Sequence, residues 1–218
     1  MKKLITLLLL AFTVGKTIAQ KHINVPLKKQ LDSVMVLDQK YRELLSVLME
    51  PAKQDSVAKG LGLTWSGAMS KYWDLQNRID SSNVVFIEKV FAKYGYPGKT
   101  LVDTPADESA WYIIQHSHKI TQYLPMMKKA AEEHELPFRL YGMMLDRELM
   151  NQGKEQIYGT QGSRQTLKDG KEDFFIWPIQ NVAHVNERRK KAGFNSTVEQ
   201  NAQRMGITYR VVRLDEVK

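Results

Sequence analysis

Apolar residues recur at helical spacing along the N-terminal half of this chain. Leu27, Leu31, Val34, Leu45 and Leu48 follow a helical period and predict one helix over 26–50, and a second such segment spans 66–79. A third follows the Asp-Ser-Ser sequence at 80–82, which offers N-cap side chains, and it stops at Gly95. The pattern therefore predicts separate helices within 26–104.

The motif-bearing half, 105–210, is predicted to hold further helices. Thr104 as the N-cap and Pro105 at the first helical position indicate a helix that contains Gln-His-Ser-His. Pro125 is expected to kink or divide that helix, because an interior proline removes a backbone hydrogen bond. Another helix is predicted over 137–151.

The pattern changes after this helix, and a hairpin is predicted at about 163–178. Two short segments there flank Asp169-Gly170, a favoured turn sequence. Asn181 is expected to cap a helix that ends at Gly193, and 196–199 has the form of a capping box for a last short helix. The predicted class is mostly α with a minor β component: one multi-helix domain over 20–218 with a small β-hairpin in its C-terminal half.

Several polar side chains fall on the apolar faces of the predicted helices. Asp38 and Arg42 have the spacing of an ion pair, and both project with the leucines of their helix. Asn83 lies on an apolar side as well, and Arg147 falls in an apolar stripe with Asp146 at its edge. A buried arginine needs a carboxylate, carbonyls or an anionic ligand. The pattern indicates either a polar pocket or an internal structural network.

The two neighbouring histidines in the sequence Gln-His-Ser-His raise the question of a metal site. On a helix, residues two apart point to nearly opposite sides, so His116 and His118 are not expected to bind one ion. No local carboxylate completes such a site, and no metal site is predicted. His116 is instead a candidate general acid or base, provided that a carboxylate such as Asp146 reaches it.

Residues 1–19 have the order of an export signal: two lysines, an apolar run too short to cross a bilayer, and small residues ending at Ala19. Removing this segment lowers the formal net charge from +8 to +5, because it contains three lysines. The dense basic run at 187–191 is expected to be a solvated helix end. We therefore expect a periplasmic or secreted protein with no membrane span and no nucleic-acid partner.

The chain contains no motif that names a cofactor. Cysteine is absent, which excludes disulfides, zinc-thiolate sites and thiol nucleophiles. Phosphate-loop, dinucleotide-binding and Gly-x-Ser-x-Gly fingerprints are also absent. No cofactor is expected.

Short motifs follow one another along the chain in this order: Asp38-Gln39 with Arg42, Asp80 with Asn83, Gly95-Tyr96-Pro97, Trp111 with Gln115-His116, Asp146-Arg147, the Gln-Ile-Tyr-Gly-Thr-Gln sequence at 156–161, and Arg188-Arg189 with Gly193-Phe194. Their order resembles an uncharacterised bacterial family that is catalogued only as a domain of unknown function. The most specific piece is Asp-Arg followed by Gln-x-Tyr-Gly-Thr-Gln. The resemblance covers nearly all of the chain after the leader and implies no assigned reaction.

Two positions depart from the pattern of that family. His118 stands where the family usually has an acid, and Asn186 stands where an aspartate is frequent. If that acid is a metal ligand or a base in the relatives, the chemistry of this chain is altered at that point.

We expect a pocket that binds a small anionic or polar ligand, with hydrolysis as the reaction if the protein is an enzyme. The alternative is a non-catalytic binding or interaction module of the cell envelope, in which the polar residues form a structural network. The candidate catalytic residues are His116 and Asp146, and the candidate ligand-binding residues are Asp38, Arg42, Asn83, Gln115, Arg147, Tyr158 and Gln161.

Overall fold

Helices make up most of the computed structural model, which describes residues 22–217; the predicted export signal lies outside the described residues. The helices before residue 105 are α1 (Val25–Gln39), α2 (Arg42–Leu48), α3 (Gln54–Gly60), α4 (Trp65–Tyr94) and α5 (Lys99–Val102). Those after it are α6 (Ser109–Gln115), α7 (Ile120–Glu132), α8 (Phe138–Asn151), α9 (Val185–Lys191) and α10 (Val198–Arg204).

The hairpin consists of β1 (Gly162–Thr166) and β2 (Glu172–Ile176), which pair in antiparallel register with Ser163 opposite Phe175. Gly170 has a φ of 89° in the connecting turn, a conformation that favours glycine. The predicted fold class, mostly α with a small hairpin in the C-terminal half, is confirmed.

The largest apolar core lies where α1, α4, α6, α7 and α8 meet. Leu31, Ile87 and Ile114 are wholly buried there, and Trp111 donates its indole N–H to the Leu140 carbonyl at 2.7 Å. Smaller clusters join the hairpin to the C-terminal segment and to α9 and α10. Within residues 22–217, no helix has the length and apolar character to cross a membrane.

The helical pattern over 26–50 forms two helices rather than the single one predicted. Gln76 of α4 is wholly buried at the break, where its side-chain amide donates to the Asp38 carbonyl at 2.9 Å. The side-chain carbonyl oxygen of Gln76 accepts from the Tyr41 backbone N–H at 3.2 Å. Because a distant side chain bonds the backbone groups at the break, the local pattern did not reveal it.

The predicted boundary at 80–82 is wrong, because α4 continues through it. The N-cap of this helix is Thr64, which accepts from the Gly67 N–H at 3.1 Å. Ser81 and Ser82 do not cap a helix, since their hydroxyls donate to carbonyls four residues earlier, at 2.8 and 3.0 Å.

The predicted Gln-His-Ser-His helix is interrupted at 116–119, a segment called the junction below. Ser117 donates its hydroxyl to the Ile114 carbonyl at 2.8 Å and accepts the Lys119 N–H at 3.1 Å, so a side chain replaces helical backbone bonds. Pro125 lies inside α7 and does not divide it. At the other end, a 3-10 turn at Ala106–Glu108 precedes α6, and Thr104 is not its N-cap.

The capping box of α10 is shifted by one residue from the prediction. Thr197 and Gln200 form it, while the hydroxyl and carbonyl of Ser196 accept hydrogen bonds from Arg189. Ser196 thus bonds a residue of α9, and Thr197 is the N-cap of α10.

One carboxylate in the fold is buried without a full set of partners. Asp107 is 2% exposed; its Oδ1 has no hydrogen-bond partner within the described residues, and its Oδ2 lies 3.4 Å from the Thr104 hydroxyl. Burial raises the pKa of this carboxyl. Its charged form therefore destabilises the folded state near neutral pH.

We predict that Asp107→Asn raises the free energy of unfolding near pH 7 by about 1 kcal/mol. A carboxyl with a raised folded-state pKa contributes stability below its unfolded pKa and loses it as the pH rises through the folded value. The difference in free energy of unfolding between Asp107→Asn and the wild type should therefore shrink as the pH falls toward 3.8, the ordinary pKa of this carboxyl. Urea unfolding across this range measures it, with exposed Asp74→Asn as the control; an Asp107→Asn protein less stable than wild type at every pH would contradict the argument.

Candidate functional site

A buried carboxylate and a histidine meet where the end of α1 faces the junction. Asp38 has no exposed surface, and its Oδ2 lies 3.1 Å from Nδ1 of His116. An aspartate carboxylate only accepts hydrogen bonds, so this contact assigns the imidazole proton to Nδ1. The lone pair of His116 Nε2 is then available as a base.

The same carboxylate belongs to a network that joins α1, α2 and α4. Arg42 donates Nη2 to both carboxylate oxygens of Asp80 at 2.6 Å, and its Nε lies 3.6 Å from Asp38 Oδ2. Gln39 donates to Asp38 Oδ2 at 2.7 Å, and Gln76 donates to Asp80 Oδ1 at 2.7 Å. The predicted pairing of Asp38 with Arg42 is thus present, and Asp80 is the closer partner of the arginine.

A groove of about 400 Å³ opens between α4 and the junction, and it is called the junction groove below. Both His116 and His118 line it. The expectation that the two histidines point to opposite sides is wrong, because it assumed helical geometry at a place where α6 has already ended. The remaining lining residues are Asn77, Asp80, Ser81, Val84, Val85, Glu88, Ser117 and Lys119.

The charged side chains at one end of the junction groove are paired with each other. Glu88 accepts from Lys119 at 2.5 Å and from the Tyr123 hydroxyl at 2.7 Å. These two hydrogen bonds lower the pKa of Glu88, while burial and the bond to Glu88 raise the pKa of Tyr123 to about 12. Since Arg42 also neutralises Asp80, the junction groove has no excess of negative charge.

A second buried carboxylate, Asp146, organises the Tyr-Gly-Thr loop. It has no exposed surface and accepts from the backbone N–H groups of Ile157, Tyr158 and Thr160 at 2.7 to 3.1 Å, and from the Thr160 hydroxyl at 3.0 Å. Burial raises the pKa of Asp146, and these donors act in the opposite direction. Asp146 is committed to this loop, and the carboxylate at His116 is Asp38.

The sequence of the loop follows from how closely it packs. Gly159 has a φ of 65°, and a Cβ there would come within 2.6 Å of Val198 and 2.7 Å of Ile179. Only glycine meets both conditions without strain. Tyr158 packs on Phe194 with ring centroids 5.6 Å apart and lines a separate shallow groove, so its side chain is not at the junction groove.

Two arginines of α9 hold the same loop, a role that the sequence pattern did not suggest. Arg189 is 1% exposed and donates to the Tyr158 carbonyl at 2.7 Å. Arg188 donates to the Ile157 carbonyl at 3.0 and 3.1 Å. The expectation of a solvated basic helix end is therefore wrong for these two residues. A signal was present in the Arg-Arg motif, because paired arginines satisfy several carbonyls at once.

Arg147 lies between the two carboxylate clusters. It donates to the Gln115 carbonyl at 3.2 Å and to Gln161 Oε1 at 3.4 Å, and no carboxylate of the described residues lies within ion-pair distance of it. Burial lowers the pKa of Arg147, and the charge of Arg42 adds to the effect. Arg147 does not line the junction groove. By holding the last residue of α6, it positions the neighbouring His116.

The site residues predicted from the sequence therefore do not line one pocket, and most of them belong to one of two separate clusters. Asp38, Arg42 and His116 form the cluster at the junction groove. Asn83 is buried on α4 with its amide nitrogen unpaired within the described residues. Asp146, Tyr158 and Gln161 belong to the loop cluster, and Gln115 and Arg147 connect the two. Asp80 was noted in the sequence only as a cap and motif residue, and the structure adds it to the site.

No three histidine or acidic side chains of residues 22–217 are placed to hold a metal ion.

The fold and the site define a mostly helical protein in which two buried carboxylates hold a histidine junction and a Tyr-Gly-Thr loop. This chain belongs to a family of unknown function, DUF6624, which it matches over residues 41–209. The resemblance to an uncharacterised domain is thus confirmed. A search of curated proteins and one of solved structures each found no match.

We predict that Asp146→Ala lowers the free energy of unfolding by roughly 3–5 kcal/mol, because it leaves three backbone N–H groups without their acceptor. Chemical denaturation measures the change. Asp74→Ala, at an exposed position of α4, is the matched control and should stay within about 0.5 kcal/mol of wild type. A similar small change for both variants would show that the loop does not depend on Asp146.

Proposed function

We propose that this protein binds a small anionic or polar ligand in the junction groove and hydrolyses it with His116 as the general base. The observation that carries the proposal is the 3.1 Å contact between His116 and the fully buried Asp38 at the wall of that groove. A carboxylate on Nδ1 fixes the ring and stabilises the imidazolium that forms when Nε2 accepts a proton.

Water is the nucleophile in this proposal. The two serines that line the junction groove, Ser81 and Ser117, donate their hydroxyls to backbone carbonyls at 2.8 Å. They are therefore not bonded to His116 as a nucleophile would be. Asp38 is the orienting carboxylate, and Arg42 and Arg147 act as positioning residues at the Asp38 and Gln115 sides of the histidine.

We also propose that the protein acts outside the cytoplasm once residues 1–19 have been removed. The support is the lysine, apolar and small-residue order of this segment. Mass spectrometry of the protein purified from its native host should find an N-terminus near Gln20. An intact Met1 on the mature protein would contradict export.

The second candidate is a non-catalytic envelope module whose polar residues form a structural network. It is favoured by the bonds and ion pairs that connect Asp38 of α1, Arg42 of α2 and Asp80 of α4. Under this reading His116 fills a place in the network and no ligand is turned over.

We predict that anionic metabolites, sugars and muropeptides include a ligand that stabilises the wild type. At a concentration of 100 times Kd it should raise the melting temperature by roughly 5–10 °C. His116→Ala should abolish this shift, and because it removes a donor from the buried Asp38 it should also lower the melting temperature of the free protein. If the ligand is a substrate, this variant should also lower kcat by roughly 10²- to 10⁴-fold.

The matched control is His184→Ala, at an exposed histidine that does not line the junction groove. It should keep both the thermal shift and the turnover. A ligand recovered unchanged after incubation would favour the binding module over the enzyme. Failure of every candidate ligand to stabilise the wild type would favour the structural network.

A further inference from the structure

The junction groove contains a second imidazole that the proposed reaction has not used. His118 lines the same groove as His116, is exposed, and makes no side-chain hydrogen bond within residues 22–217. The two histidines therefore differ in what they can do. His116 has its Nδ1 bonded to Asp38, whereas both nitrogens of His118 are available to a ligand.

The charged groups around His118 do not repel an anion strongly, because the negative ones are already paired with positive side chains. Across the groove, α4 presents Asp80 and Glu88, and both carboxylates are already paired, with Arg42 and with Lys119. The walls contributed by Val84 and Val85 are apolar. His118 is thus the side chain left to meet a ligand's charge, because His116 must be neutral to act as the base.

Resting on the proposed function, we propose that the ligand is a phosphate ester, that its phosphoryl group lies between His116 and His118, and that His118 is the general acid. In-line displacement at phosphorus places the attacking and leaving oxygens on opposite sides, so it uses a separate base and acid. Acyl transfer needs only one histidine, which accepts the proton and then returns it. Two imidazoles on one groove therefore fit phosphoryl chemistry better.

The proposed step is balanced between the two histidines. A water oxygen forms a bond to phosphorus and gives a proton to Nε2 of His116. The bond from phosphorus to the leaving oxygen breaks, and its electron pair stays on that oxygen. His118, in its protonated form, donates a proton to the leaving oxygen and releases an alcohol. Solvent then returns a proton to His118 and removes one from His116.

Inorganic phosphate is the probe for this proposal. Its binding is monitored through the side-chain ¹⁵N and ¹H NMR resonances of the histidines. Phosphate should shift the resonances of both His116 and His118 and leave those of His184 unchanged. His118→Gln should weaken phosphate binding by about tenfold or more at pH 6, as expected for loss of a charged hydrogen bond. His184→Gln is the matched control and should bind as the wild type does.

The outcomes separate this inference from the proposed function. Shifts confined to His116, or binding of only non-phosphate ligands, would overturn the phosphoryl inference and leave the proposed function standing. Failure of every probe to bind would overturn both.

The role of His118 as the acid is tested by leaving-group dependence. An aryl leaving group such as 4-nitrophenolate departs without a proton, whereas an alkoxide needs one. His118→Gln should therefore lose far more kcat on an alkyl phosphate than on 4-nitrophenyl phosphate, and His116→Gln should lose activity on both. Equal losses in His118→Gln, or no turnover of either ester by a wild type that binds phosphate, would overturn this role.

Discussion

The buried carboxylate of Asp38 is the constraint on which the site depends. An anion with no exposed surface must be surrounded by donors and positive charge, or it destabilises the fold by several kcal/mol. Its partners come from separate elements: Gln39 at the end of α1, Arg42 in α2 and His116 at the junction. Meeting the needs of this one group brings the start of α2 and the junction together against α1. The geometry of the groove wall follows from that packing.

Asp146 meets the same constraint in a different way. Its donors are mainly backbone N–H groups of one loop, which Gly159 and the arginines of α9 hold in place. Such a carboxylate is enclosed by fixed donors, and its hydrogen-bond partners among the described residues include no titratable side chain. Asp38 in contrast bonds an imidazole that lines a groove. On the proposed function, Asp38 is therefore the carboxylate that assists proton transfer, whereas Asp146 holds the loop.

Local pattern was sufficient to predict the class of fold, the hairpin turn and the inward placement of Asp38, because helical periodicity reports which face of a helix is apolar. It could not predict the partner of His116, since Asp38 lies 78 residues away along the chain. It also missed the breaks after α1 and after α6. Those breaks depend on Gln76 and Ser117, whose side chains replace backbone hydrogen bonds that the sequence pattern assumes.

The break after α6 decides how much the identity of residue 118 affects the site. In a continuous helix, residue 118 would point away from His116 and its identity would have little effect on the site. In the junction both residues line one groove. An acid at 118 would add a carboxylate to a groove that already contains Asp80 and Glu88, whereas His118 adds a group that can carry positive charge. On the proposed function, the preference for an anionic ligand therefore depends on the imidazole of His118.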